Sequence, residues 1–64
     1  MLIATTEARL IRPIPYNEQG VWRRNQNYSF ALILDVSTGN QLYVEKTTKT
    51  LFLPADYKHY FKEV

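Results

Sequence analysis

The sequence predicts an all-β fold: a small five-stranded barrel with a long first loop and a 3₁₀ turn before the last strand. Three observations carry this reading. Tyr28, Phe30, Leu32, Leu34 and Val36 alternate with Ser29, Ala31, Ile33 and Asp35, the period of two that a pleated strand presents. Ser37-Thr38-Gly39-Asn40 then supplies a glycine for a tight reversal, and Leu42 and Val44 alternate with Tyr43 and Glu45 in Gln41–Thr47, which completes a hairpin. Finally, a third extended run, Thr50–Leu53, follows the polar turn Thr47–Lys49 and stops against Pro54, which has no N–H to give a ladder.

The remaining segments fit around that hairpin. Thr6–Ile14 places Ala8 and Leu10 on one face and Glu7 and Arg9 on the other until Pro13 interrupts it, so it reads as an edge or terminal strand. Pro15–Asn27 has proline, glycine and asparagine and no sustained period, the pattern of a long loop, and a loop of that length in so small a domain is a natural place for function. Residues 54–62 admit two readings. As a helix, Pro54 would sit at the first position, with Tyr57 and Phe61 four residues apart. As a barrel closure, Ala55–Tyr57 would make one 3₁₀ turn and Tyr60–Val64 a short final strand. The poor capping residue Leu53 and the crowding of three rings favour the closure. The core expected from these phases is Leu10, Phe30, Leu32, Leu34, Leu42, Val44, Leu51, Leu53 and Phe61.

Bulk composition bounds the function. A chain of 64 residues holds one domain, 1–64, and buries only about 60% of its unfolded surface. There is no cysteine and one histidine, His59, so neither disulfides nor thiolate metal sites can staple it, and no cofactor is expected. Hydrophobic residues at 45% with 14% aromatics demand a folded core. No run approaches a membrane span or a secretory leader. A cytoplasmic location is expected. A net charge of +2 is compatible with nucleic acid without requiring it. A chain that opens with methionine and spans a single domain is expected to be a complete small protein, an accessory factor of a phage or another mobile element.

Leu53-Pro54-Ala55-Asp56-Tyr57, followed by Phe61-Lys62-Glu63-Val64, resembles the end of the SH3 family, where a strand runs into a proline, a small residue, an Asn or Asp and a tyrosine before the last strand. The order of elements over nearly the whole chain is similar to the SH3-like succession. The resemblance implies the barrel. Of the family's peptide-binding set it carries over Pro54 and Tyr57, with Tyr16 as a third ring. The tryptophan that opens the family's third strand is absent from Gln41–Tyr43, and Arg23 and Arg24 make the long loop basic where the family's is acidic.

Two surfaces are candidates for binding. Tyr16, Trp22, Pro54, Tyr57 and Tyr60 would offer a protein partner, or a second copy of the chain, large rings with polar tips. Trp22, Arg23 and Arg24, joined by Lys49, would suit single-stranded nucleic acid, because guanidinium groups neutralise phosphates and an indole stacks on an unpaired base. A simpler reading makes Trp22 the cover on one end of the core, with the arginines solvated around it. Catalysis has no support: His59 has no nucleophile beside it, the acids stand singly, and Asp56 reads as a turn residue. The expected function is therefore a non-catalytic module docking on a protein, with nucleic acid as the alternative and no small-molecule substrate.

Overall fold

The computed structural model describes residues 1–17 and 19–64; Glu18, inside the expected long loop, lies outside them. Five strands form one antiparallel, curled half-barrel sheet. They are β1 (Leu2–Leu10), β2 (Asn27–Asp35), β3 (Asn40–Glu45), β4 (Leu51–Phe52) and β5 (Phe61–Glu63), with one helix, α1 (Pro54–Tyr60), before β5. The sheet order is β4-β3-β2-β1-β5.

The hairpin β2–β3 sits where the alternation places it. Asp35 pairs with Asn40, and Gly39, at φ 75°, takes the left-handed conformation that the reversal requires. Gly39 N–H donates to Asp35 O at 2.7 Å, while Ser37 Oγ–H and N–H donate to Asp35 Oδ1 at 2.7 and 3.0 Å. Those Ser37 bonds hold the Asp35 carboxyl below its usual range.

Two boundaries differ from expectation. β1 starts at Leu2 and ends at Leu10, rather than running from Thr6 to Ile14. It begins early because Met1 and Leu34 exchange backbone bonds at 2.7 and 2.9 Å. Beyond Leu10, the Ile11 N–H turns to Tyr60 O at 2.8 Å, and Ile14 enters the core from the loop. The second difference is α1, a helix where a 3₁₀ turn was favoured. Pro54 at its first position lacks only an N–H that would be unpaired there, and Tyr57 N–H donates to Leu53 O at 2.9 Å. The rings do not crowd. Tyr57 and Phe61 both face inward, with centroids 5.8 Å apart, while the half-buried Tyr60 lies edge-on to His59 at 4.8 Å.

The core is aromatic. Ala8, Leu10, Ile14, Trp22, Phe30, Phe52, Tyr57 and Phe61 are buried together. Phe30 is its centre, with edge-on neighbours Phe61 at 4.7 Å, Tyr57 at 5.0 Å and Phe52 at 5.9 Å. Edge-to-face pairs of this kind add stability beyond the area they bury. Three expected core positions, Leu10, Phe30 and Phe61, are confirmed. The expected Leu51 and Leu53 are instead 60% and 58% exposed, and the neighbour between them, Phe52, is buried. Leu32, Leu34, Leu42 and Val44 are half-buried.

Glu45, a charged residue only 2% exposed, is explained by the turn it organises. Its carboxylate accepts from Thr47 N–H at 3.1 Å and Thr48 N–H at 2.8 Å. Its backbone carbonyl accepts from Lys49 N–H at 2.9 Å, and Lys49 holds a positive φ of 62°. Replacing Glu45 with Ala strands those amides, and urea denaturation is expected to show a loss of about 2–3 kcal/mol, with Glu45→Gln losing about half as much.

Candidate functional site: an uncovered sheet face

The described residues of the long first loop reach into the core through Ile14 and Trp22. Asn17 closes it with its side-chain amide: Nδ2–H donates to Trp22 O at 2.6 Å and Oδ1 accepts from Trp22 N–H at 3.1 Å. Tyr28 Oη clamps the same stretch, accepting from Arg23 N–H at 2.7 Å and donating to Val21 O at 2.9 Å. Trp22 is thereby turned inward, 8% exposed, with Tyr28 at 5.1 Å and Phe52 at 5.4 Å. The simpler reading of Trp22, a cover on the core, is the one its position matches.

The structure does not assemble the rings and bases suggested by the sequence into one surface. Tyr57 is 2% exposed and stacks on Tyr43 at 3.7 Å with an interplanar angle of 2°. Tyr16 is exposed and lines a depression of about 370 Å³ with Asn17, Gln19, Val21 and Trp22, a lining that includes none of Pro54, Tyr57 and Tyr60. Pro54 and Tyr60 are half-buried on α1. Arg23 and Arg24 are exposed on the loop and Lys49 on the β3–β4 turn, but the indole that was to interleave with them faces the core. Among the described residues, no group of His, Asp and Glu is placed to hold a metal ion. No helix there is long and apolar enough to cross a membrane.

The register brings together a different set. Phe30 lies opposite Glu45 and Leu32 opposite Tyr43, and Tyr43 lies opposite Phe52. Those residues share the concave face, which α1 and the loop cover. By the alternation of the pleat, the convex face carries the other set. Leu2 pairs with Ile33, and Ile33 with Leu42; one step along, Ala31 pairs with Val44, and Val44 with Leu51. These apolar residues form two adjacent cross-strand rows over four strands, about 15 Å wide at a strand spacing of about 4.8 Å. Among the described residues, no other element lies over them. Toward the opposite end of the same face the rows turn polar, with Glu7 opposite Ser29 and Arg9 opposite Asn27.

Sequence reasoning placed Leu42, Val44 and Leu51 in the core, so it missed this face. One signal was present. Residues 30–34, Phe-Ala-Leu-Ile-Leu, are apolar at every position, and a strand with no polar alternate is one that needs cover on both faces.

Nothing among known protein families, curated proteins or solved structures matches the chain. The residues and their geometry therefore carry the functional argument alone.

Proposed function

We propose that this protein is a small non-catalytic binding module, an SH3-like barrel that docks on another protein through the convex face of its sheet and serves as an accessory or regulatory factor. The SH3-like assignment is supported by the order of elements: a long first loop, a three-strand meander, and a short helix starting at Pro54 that leads into a short last strand beside β1. The docking reading is supported by one observation above the others, that β2 is apolar on both faces and covered on one. A contiguous apolar patch rimmed by polar residues marks an interaction surface, and this one has Glu7, Arg9, Ser29 and Lys46 along its polar side.

The test is a comparison of variants in affinity capture, followed by titration of the captured protein. Leu42→Lys with Leu51→Lys places charges on the convex face, where Leu51 is already exposed, and leaves the aromatic core intact. The double variant is expected to weaken binding by about 2 kcal/mol, roughly 30-fold, with little salt dependence. Arg23→Ala with Arg24→Ala is expected to leave the affinity unchanged. The reverse pattern, with affinity lost in the arginine variant and falling steeply with salt, would replace the protein partner with nucleic acid.

A further inference from the structure

The charges on the convex face are unevenly placed along its strands. Beyond the apolar rows, toward the Leu10 end of β1, three cations share that face. Lys62 lies directly opposite Arg9, and Lys46 lies beside Ser29, whose carbonyl accepts from the Lys46 N–H at 2.9 Å. All three are exposed. Like charges directly opposite one another across a strand pair are unfavourable, and the partner of the Arg9 Nε–H is neutral, Asn27 Oδ1 at 3.3 Å. Glu7, the acid between these rows, accepts from Asn27 Nδ2–H at 3.4 Å. Glu63 lies opposite the buried Ala8, and its charge acts on Tyr57, so the pleat turns it toward the concave face. Three cations thus meet one acid, or two with Glu63 included. At the other end of the convex face stands Asp35, opposite Asn40, its carboxylate accepting from Ser37. The face therefore runs from an acid, across the two apolar rows, to a surplus of positive charge.

We infer that the partner of the docking face, a reading on which this inference rests, is an amphipathic helix that carries acidic residues beyond its apolar ones. A helix with its side chains is about 10–12 Å across, and the apolar rows are about 15 Å wide, so one helix lying along β2 covers them. At about 3.4 Å per strand residue, the Ser29–Lys46 and Arg9–Lys62 rows lie about 7 and 14 Å beyond the Ala31–Val44 row. At about 1.5 Å per helical residue those distances are about five and nine residues. Carboxylates on the inward face of the helix, about one to three turns from its apolar seat, then meet Lys46, Arg9 and Lys62. Charges of this kind set orientation and selectivity more than affinity. The acidic end lies over Arg9 and Lys62 and the apolar part over Ile33, Leu42, Val44 and Leu51, because the reverse orientation would bring carboxylates to Asp35. Nucleic acid would suit the cations but would leave the apolar rows beside them bare.

Two synthetic helical peptides test this by amide NMR titration. Each is about 18 residues long, above the length at which an isolated helix is marginal, with leucines on one face of one half. The first carries glutamates on the same face of the other half, and the second carries lysines there. The glutamate peptide is expected to bind wild type with a dissociation constant on the order of 100 μM, shifting the amides of Ile33, Leu42 and Val44 together with those of Arg9 and Lys62. The lysine peptide is expected to bind at least about tenfold more weakly. Arg9→Glu with Lys62→Glu is expected to reverse the preference, which also shows that the variant is folded and cancels any difference in peptide helicity. Leu42→Thr with Leu51→Thr, which empties the apolar seat without adding charge, is expected to lose both peptides. Equal binding of the two peptides to wild type, lost in the threonine variant, would overturn the acidic partner and leave the docking face standing. Undiminished binding of the glutamate peptide to the threonine variant would overturn both, as would a wild type that binds neither peptide. A single-stranded oligonucleotide that shifts Arg9 and Lys62 at physiological salt, with Leu42 and Val44 unmoved, would replace the helix with nucleic acid.

Discussion

Trp22→Ala is expected to unfold most of the protein at room temperature. Trp22 is held by the Asn17 clamp and packed on Tyr28, Phe52 and Phe61, and truncating a buried aromatic of this size costs about 3–5 kcal/mol through lost burial and the cavity left behind. A domain of 64 residues has only about 3–10 kcal/mol of total stability at the usual ~0.05–0.15 kcal/mol per residue, and it has no disulfide to fall back on. The loop from Ile11 to Gln26 would lose its largest anchor, so Ile14 would be released with it. Urea denaturation followed by far-UV circular dichroism checks the result. A Trp22→Ala protein with wild-type stability would show that the indole serves a ligand rather than the core. Asn17→Ala provides a graded version, because it opens the clamp and leaves the ring in place.

The second large effect is a loss of stability in strong alkali that traces to one phenol. Tyr57 is buried, its Oη makes no hydrogen bond, and its pKa is pushed up from 10.0 to about 12. Burial is the chief cause, and the Glu63 charge and Tyr43 add to it. The folded state therefore keeps its proton where the unfolded chain gives it up. The stabilisation is complete below about pH 10, declines as pH rises, and is gone above the folded pKa of about 12. At about 1.4 kcal/mol per pKa unit, the full loss is about 2–3 kcal/mol. Tyr57→Phe has no proton to lose, keeps the ring stacked on Tyr43, and removes an unpaired buried hydroxyl. It is expected to match or exceed wild-type stability near pH 7 and to outlast it progressively from pH 10 upward. Parallel loss in the two proteins would mean that other groups drive the alkaline transition.

The limits of sequence reading here are matters of phase. β2 was legible because its alternation is long, and Gly39 because only a left-handed residue closes that turn. The faces of β3 and β4 were inverted because Leu42, Val44, Leu51 and Leu53 look more core-like than Glu45 or Tyr43 when each strand is read by itself. A one-residue change of phase moves every side chain to the other face, and local hydrophobicity cannot choose the phase when both faces are partly apolar. Counting outward from the turn would have chosen it. With Asp35 opposite Asn40, five steps place Phe30 opposite Glu45, and Glu45 can go inside because the next turn supplies it with amide donors. The helix was missed for a related reason. The two inward rings, Tyr57 and Phe61, are one helical turn apart, a spacing that outweighs the absence of a good cap at Leu53. The candidate site was the least legible part, since the individual residues of the convex face look like ordinary core leucines and valines, and only the pairing across four strands reveals them as one surface.

The sheet is covered on its concave face and open on its convex one. Methyl-labelled protein exposed to a soluble paramagnetic probe, followed by carbon–proton correlation NMR, tests it most directly. Strong broadening of the Leu51 methyls and clear broadening of those of Ile33, Leu42 and Val44 are expected, with Leu10 and Ile14 spared. Sparing of Leu42, Val44 and Leu51 along with the core methyls would contradict it, because the convex face would then be the buried one and no docking surface would remain there.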